Sequence, residues 1–133
     1  MKMERRLSVA LGITALFGVA TVRAAELGRV NVPFAFEASG QRLEAGTYRA
    51  GDNSGALVVR NDKTGQGIFL VPVPIGLANG GQSSMTFRCY GPQCFLSRIQ
   101  FGDTRKMYGI GSSKREKELA KVERPQITIV AMR

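Results

Sequence analysis

The chain has 133 residues, and its 19 Lys and Arg against 10 Asp and Glu give it a net charge of +9. It contains no His, which removes the commonest general base and the commonest metal ligand. These properties allow one small domain, and they predict a protein that is not an enzyme and carries no cofactor or metal.

Residues 1–24 have the pattern of a secretory signal peptide. A basic start is followed by an apolar run from Leu7 to Val22, which is short for a membrane span. Val22 and Ala24 are small residues at the positions that signal peptidase reads, so cleavage is expected after Ala24. An uncleaved membrane anchor is the alternative. Export would place residues 25–133, a single β-rich domain, in the periplasm or outside the cell.

The first half of that domain has the pattern of short strands. In residues 29–38 apolar side chains alternate with smaller or polar ones, which is the period of a half-buried strand. Pro33 cannot donate a hydrogen bond to a ladder, and it predicts an edge position or a bulge. A second strand is expected over 42–50 with a bend at Gly46, and a third over 56–60.

The middle of the chain is more apolar. Residues 61–65 predict a turn that ends in a left-handed glycine. Residues 66–74 are apolar almost without interruption, which favours a central strand buried on both faces. Two further strands are expected over 84–90 and 94–101, joined by a tight turn.

The C-terminal part predicts a helix and a last strand. Residues 103–110 fit either a loop or another short strand. Ser113 followed by Glu116 is a capping-box signature, and it predicts a surface helix running to Glu123. A β-branched run over 126–132 predicts a closing strand. Together these elements predict a mainly-β single domain, an antiparallel β-sandwich or small barrel with one short C-terminal surface helix.

The two cysteines are expected to form a disulfide. Cys89 and Cys94 flank Gly91-Pro92, and a two-residue turn there sets the cysteines opposite each other as a non-hydrogen-bonded pair. That spacing permits a disulfide, which an oxidising compartment would close. A redox dithiol or free thiols are the alternatives. The same register divides the neighbouring apolar residues between two faces, with Phe87 and Leu96 beside the cysteines and, on the other face, Tyr90, Phe95, Ile99 and Phe101.

The basic excess is concentrated near the C-terminus, where residues 102–133 hold eight Lys or Arg and four Asp or Glu. Outside the cytoplasm such a surface is more suited to anionic lipid, lipopolysaccharide or acidic polysaccharide than to nucleic acid. One alternative is a solvated helix face interlaced with Glu116, Glu118 and Glu123; another is a charge that only maintains solubility. The candidate anion-binding residues are Arg105, Lys106, Lys114, Arg115, Lys117, Lys121 and Arg124.

Three segments together resemble a known group of proteins: residues 32–36 through 43–48, residues 90–101, and residues 113–120. They are similar to uncharacterised small exported β-rich proteins that are common in acidobacterial genomes. The resemblance implies a compact β-rich fold and brings no activity, cofactor or catalytic residue. The cysteine positions usually hold other residues in that group, which fits a local structural disulfide better than a shared mechanism.

The sequence therefore predicts an exported, non-enzymatic β-domain that binds at the cell envelope through its basic C-terminal surface. The alternative is an assembly subunit that pairs with a partner through an edge strand near Pro33 or through the last strand. A small hydrolase or redox protein is a third hypothesis. The expected partner is an anionic envelope component or another protein, no nucleic acid is expected, and the residues do not specify an oligomeric state.

Overall fold

The computed structural model describes residues 25–53, 56–70, 73–77 and 81–133, so the predicted signal segment lies outside the described residues. Within these ranges the chain forms eleven strands and one helix. The strands are β1 (Ala25–Val32), β2 (Phe36–Ala38), β3 (Gln41–Leu43), β4 (Gly46–Asn53), β5 (Ala56–Asn61), β6 (Gly67–Leu70), β7 (Val73–Leu77), β8 (Ser84–Tyr90), β9 (Gln93–Phe101), β10 (Lys106–Gly109) and β11 (Gln126–Ala131), and the helix is α1 (Lys114–Ala120).

The strands form two sheets within one small domain. Sheet I has the order β1-β4-β5-β6, and all of its neighbours are antiparallel. Sheet II has the order β11-β8-β9-β10-β7. The β2–β3 hairpin joins sheet II because β2 runs parallel to β9 at the cysteine end of that strand. The prediction of a mainly-β single domain with one short helix is confirmed.

The two sheets are joined along one edge, and the result is a curled half-barrel. Arg29 and Arg133 exchange two backbone hydrogen bonds, 2.7 and 2.8 Å long, which link β1 to the chain that follows β11. Val30 and Met132 form the neighbouring bridge. Strand β1 stops directly before Pro33 and the chain then crosses to sheet II. In strand order β1 is the last strand of sheet I, but its outer side is bonded to the chain after β11. The single strand expected over 29–38 is divided between the two sheets.

The core lies between the inner faces of the two sheets. Tyr48 of β4 is fully buried and packs edge-to-face against Phe36, with ring centroids 5.3 Å apart. Phe36 packs in the same way against Phe87 of β8 at 5.2 Å, so a chain of aromatic rings connects sheet I to sheet II. Buried aliphatic side chains from most strands surround these rings: Val30, Val32, Leu43, Leu57, Val59, Ile68, Leu70, Met85, Leu96 and Ile99.

The apolar run over 66–74 is not a central strand. It contributes to two edge strands, β6 at the end of sheet I and β7 at the end of sheet II. Ile68 and Leu70 are buried in the core, whereas Phe69 is 61% exposed and Val73 is 58% exposed. Among the described residues of this run, Ile68 and Leu70 of β6 enter the core, whereas Val73 and Pro74 of β7 are exposed. A continuous apolar pattern therefore does not distinguish a buried strand from an edge strand followed by exposed apolar residues.

A β-bulge at Ser97 interrupts the alternation of strand β9. Phe87 pairs with Leu96 and Thr86 pairs with Arg98, so Ser97 is the extra residue between them. The Ser97 hydroxyl donates to the Thr86 carbonyl at 3.1 Å, which satisfies this polar group within the bulge. The alternation of side chains between the two faces is therefore shifted by one residue at the bulge, so even-numbered residues before Ser97 share a face with odd-numbered residues after it.

The bulge corrects the predicted faces of the β8–β9 hairpin. Strict alternation places Ile99 and Phe101 on the same face as Tyr90 and Phe95. In the structure Ile99 and Phe101 belong to the core together with Leu96, because the extra residue reverses the parity. Tyr90 and Phe95 remain on the opposite side, which we call the outer face of sheet II. There their rings pack edge-to-face with centroids 5.8 Å apart.

Deleting Ser97 is expected to destabilise the domain by more than about 4 kcal/mol, because the restored alternation would turn Ile99 and Phe101 away from the core. Deleting Thr104, in the turn between β9 and β10, shortens the chain equally but leaves the alternation of each strand intact. Its expected cost is below about 2 kcal/mol. Urea unfolding followed by circular dichroism measures both. Similar losses in the two variants would show that the bulge does not set the register.

Candidate functional site

Helix α1 begins where the sequence predicts. Ser113 is its N-cap, and the Ser113 hydroxyl accepts a hydrogen bond from the backbone N–H of Glu116 at 3.2 Å. The helix ends at Ala120 and not at Glu123, and Lys121 is its C-cap. With only seven residues, α1 needs contacts with the sheet to hold its position.

A buried carboxylate attaches α1 to the outer face of sheet II. Glu116 is 2% exposed, and its Oε2 accepts hydrogen bonds from Arg88 Nε at 2.5 Å and from the Tyr90 hydroxyl at 3.0 Å. Arg88 Nη2 also donates to Glu116 Oε1 at 3.3 Å and to Ser112 Oγ at 3.1 Å. Both carboxylate oxygens are therefore satisfied by β8. We call Arg88, Tyr90 and Glu116 the anchoring cluster.

The burial of Glu116 corrects the sequence analysis. A solvated position and a capping-box side chain are expected there, but the carboxylate is bonded to Arg88 and Tyr90. The apolar residues of this segment contribute less to the attachment, because Leu119 is only half-buried and Val122 is 79% exposed. A polar contact, and not an apolar stripe, thus holds the helix on the sheet.

The anchoring cluster shifts the ionisation of two of its members. The hydrogen bond to Glu116 raises the pKa of the Arg88 guanidinium above its ordinary value. Burial raises the pKa of Tyr90, and the hydrogen bond to Glu116 raises the pKa of this phenol further, since a phenolate would face a carboxylate. The cluster therefore favours a charged arginine and a neutral tyrosine.

A second set of contacts holds one flank of the helix. Arg115 donates through Nε to Gln93 Oε1 at 3.0 Å and through Nη2 to the same oxygen. Arg115 Nε also lies 3.6 Å from Glu37 Oε2. Gln93 belongs to β9 and Glu37 to β2, so this flank faces the β2 side of the sheet. The opposite flank, which includes Lys117, faces the β8–β11 side because of the helical period.

The structure gathers five of the seven candidate anion-binding residues on and beside α1. The three lysines among them project from the side of the helix opposite Glu116. Within the described residues Lys114 and Lys117 make no ion pair, whereas Lys121 Nζ lies 3.5 Å from Glu118 Oε1. We call the set the basic face: Lys114, Arg115, Lys117, Lys121 and Arg124.

Arg105 and Lys106 lie elsewhere on the molecule. Both are exposed at the start of β10, where Lys106 pairs with Phe101 at the end of β9. The helix contacts the other end of β9, at Gln93. The two ends of that strand are roughly 25 Å apart at the usual rise per residue. The structure therefore separates these two cations from the basic face.

The burial of Glu116 makes the basic face more positive than its sequence suggests. Between Ser113 and Pro125 the chain has five basic and three acidic residues. Since the charge of Glu116 is compensated by Arg88 beneath the helix, Glu118 and Glu123 are the acids of this segment that remain at the surface. The exposed segment thus carries five cations against two anions.

Exposed apolar residues lie beside the basic face. Ile127 and Ile129 of β11 are 58% and 66% exposed, and they pair with Arg88 and Thr86, so they project from the outer face of sheet II that carries α1. Val122, in the connection from the helix to β11, is also exposed. We call Val122, Ile127 and Ile129 the apolar strip.

Cys89 and Cys94 form a disulfide in the predicted register. They lie opposite each other on β8 and β9 with Cα atoms 3.9 Å apart, and Tyr90 pairs with Gln93 around the turn. Gly91 in that turn has a φ of 60°, a conformation that glycine adopts without steric cost. The disulfide is buried in the core and fixes the hairpin that carries two members of the anchoring cluster.

The rest of the described surface contains fewer features that could bind a ligand. A polar depression of about 580 Å³ lies between the start of β4 and the β5–β6 turn. Asn61 in its wall accepts hydrogen bonds from the backbone N–H groups of Lys63 and Thr64, at 2.8 and 2.9 Å, so this side chain shapes the turn. In the described ranges no three His, Cys, Asp or Glu side chains cluster to hold a metal ion. Likewise, no helix there is both long and apolar enough to cross a membrane.

In comparisons with known proteins, no protein-family model, curated protein or solved structure matches this chain. The resemblance to exported acidobacterial proteins thus stays a prediction. Function has to be inferred from the basic face, the apolar strip and the contacts that hold them.

Replacing Glu116 with alanine is expected to destabilise the protein by about 3 kcal/mol, because the partly buried Arg88 guanidinium loses its counter-ion. Glu118→Ala is the matched control, since Glu118 is an exposed acid on the same helix and its pair with Lys121 contributes about 0.5 kcal/mol or less. Urea unfolding measures both losses. A small loss in both variants would show that Glu116 does not anchor the helix.

The raised pKa of Tyr90 predicts a loss of stability in alkaline solution. The folded-state pKa lies above the ordinary value of 10.0, so the contribution is complete below that pH and is lost as pH rises through the folded-state pKa. Tyr90→Phe removes the ionisation, and its unfolding free energy is expected to fall less above about pH 10. Tyr108→Phe, which leaves the anchoring cluster intact, is the matched control. Coinciding profiles for the wild type and Tyr90→Phe would contradict this assignment.

Proposed function

We propose that this chain is an exported, non-enzymatic β-domain that binds an anionic component of the cell envelope through its basic face. The observation that carries the proposal is the position of Glu116. Its carboxylate is buried against Arg88, and the segment between Ser113 and Pro125 consequently presents five cations and two anions at the surface. Such a local excess attracts anionic surfaces more strongly than an even mixture of charges.

The rigid attachment of the helix supports a binding role. The anchoring cluster fixes α1 from below, and the contacts of Arg115 with Gln93 and Glu37 fix one flank. Lysines on a positioned helix are arranged before a ligand arrives, so less conformational freedom is lost on binding. If the excess of cations only maintained solubility, the cationic side chains would not need to be held on one fixed side of the molecule.

The disulfide supports the exported location. Disulfides form and persist in oxidising compartments and are rare in the cytosol of most organisms. Cys89 and Cys94 form a disulfide bond in the structure, and both are buried. The anions abundant in such compartments are lipid phosphates, lipopolysaccharide and acidic polysaccharide, which are the partners expected for the basic face.

An assembly subunit remains the second candidate, and exposed apolar residues on two edge strands favour it. Phe69 on β6 and Val73 and Ile75 on β7 are exposed at the ends of the two sheets. The edges expected from the sequence to receive a partner, the strand before Pro33 and the last strand, are joined to each other through Val30 and Met132. Strand addition would therefore favour β6 or β7.

Replacing Lys114 and Lys117 with glutamine is expected to weaken binding to phosphatidylglycerol vesicles roughly 30-fold, at about 1 kcal/mol for each lysine. The matched control is Arg105→Gln/Lys106→Gln, which removes the same charge at the other end of β9 and should change affinity less than about 3-fold. Vesicle sedimentation at several salt concentrations measures both, and wild-type binding should weaken as salt rises.

Equal losses in the two double variants would show that net charge, and not the basic face, attracts the vesicles. If the wild type binds neither vesicles nor a soluble anionic polymer, the proposed function is wrong. A concentration-dependent oligomer that salt hardly changes, detected by analytical ultracentrifugation, would favour the assembly subunit.

A further inference from the structure

We infer that the anionic component is a lipid surface, and that the apolar strip enters its hydrocarbon boundary while the basic face contacts the lipid phosphates. This inference rests on the proposed function, because it specifies the class of partner that the same surface binds. It is carried by the juxtaposition of exposed branched aliphatic side chains with the lysines of the basic face on one side of the molecule.

The two parts of the surface point to the same side. Ile127 pairs with Arg88, and Arg88 bonds Glu116 beneath the helix, so the isoleucine lies next to the helix attachment. Directly paired residues of neighbouring strands share a face of the sheet. Lys117 is on the flank of α1 that faces β11, because the opposite flank is held by Arg115 at Gln93. Cations therefore border the apolar strip.

Strand β11 ends sheet II, and the bridge to β1 lies beyond its last residue, at Met132. An apolar strip is unusual for such a strand in water. Exposed edges are normally protected by charged residues or proline, and clustered aliphatic residues there promote association. Ile127 and Ile129 are more than half exposed, and Val122, five residues before Ile127 in the chain, is 79% exposed. A soluble acidic polysaccharide would leave these side chains in water. A lipid surface covers them and supplies anions at the same time.

The geometry allows both groups to reach their partners. Helix α1 stands on the outer face of sheet II, over β8 and β9, while β11 forms the edge of that sheet. If the β11 edge approaches the bilayer first, Ile127 and Ile129 reach the hydrocarbon boundary, and Lys117 and Lys121 lie behind them at the lipid phosphates. The flexible stems of the lysines let their ammonium groups stay at the depth of the phosphates.

A second copy of this chain is a poorer occupant. Two copies that buried their apolar strips against each other would bring their basic faces together, because Lys121 and Arg124 lie one and two positions from Val122 along the chain. Like charges across an interface oppose association. A partner that is apolar in one layer and anionic in the adjacent layer avoids this repulsion.

The first test replaces the isoleucines. Ile127→Ser/Ile129→Ser is expected to weaken binding to vesicles of phosphatidylglycerol and phosphatidylcholine roughly 10- to 100-fold, while binding to dextran sulfate stays unchanged. The matched control is Val73→Ser/Ile75→Ser, which removes exposed apolar residues at the other edge of sheet II and should change neither. Every variant carries the same N-terminal segment, so any contribution of that segment to vesicle binding cancels.

The second test reports insertion directly. The chain contains no Trp, so Ile127→Trp provides a single tryptophan whose fluorescence can be excited separately from that of the three tyrosines. Its emission is expected to shift to shorter wavelength on addition of the vesicles and to be quenched by lipids with brominated acyl chains. Ile75→Trp on β7 should show neither change. Since both positions are exposed, these variants are expected to fold, and circular dichroism checks that they do.

The outcomes separate this inference from the proposed function. Unchanged vesicle binding by the serine variant, with no shift for Ile127→Trp, would overturn the inference while leaving the lysine dependence and the proposed function intact. Binding of dextran sulfate but not of vesicles would also overturn it, in favour of a polysaccharide. A dimer that the serine variant abolishes would assign the strip to a second copy. Lysine-independent binding of any kind would contradict the proposed function itself.

Discussion

The position of α1 depends on one buried carboxylate. A seven-residue helix is too short to be stable alone, and Leu119 and Val122 give it little apolar contact. Glu116 compensates with hydrogen bonds to Arg88 and Tyr90. A buried ion pair adds little net stability compared with apolar packing, but leaving one partner unpaired is costly. The contact therefore selects a single position for the helix among those that a weak apolar stripe would allow.

The same contact connects the fold to the surface charge. By withdrawing one anion from the helix, it leaves the lysines in excess and gives them a fixed direction. Composition alone locates the cations near the C-terminus. It does not show that Arg105 and Lys106 are separated from the others, because that separation depends on the strand register that puts Lys106 beside Phe101. The exposure of the isoleucines in β11 is likewise not predictable from the sequence, since an exposed and a buried β-branched strand have similar sequences.

Local signals account for what the sequence predicts well. The N-cap at Ser113, the turn between the cysteines and most of the short strands each depend on neighbouring residues, and the structure contains them. The strand expected over 29–38 is the exception among the alternating segments, since it is divided between two sheets. The failures are non-local. Nothing near Ser97 marks it as the extra residue of a bulge, yet it reverses the parity of half a strand. Arg88 and Glu116 are 28 residues apart in the chain. The local sequence indicates their pairing only through the position of Arg88, a single arginine between buried neighbours.

The closure of the half-barrel has a consequence for how quickly the protein folds. The bridge between Val30 and Met132 joins residues separated by about 100 positions, and folding slows as contacts become more distant along the chain. This seam cannot form until Met132 has been synthesised. A nascent chain that stays unfolded for longer remains thin enough to be threaded through a narrow membrane channel. For a protein exported as proposed here, the late seam would keep the chain competent for translocation until it reaches the other side.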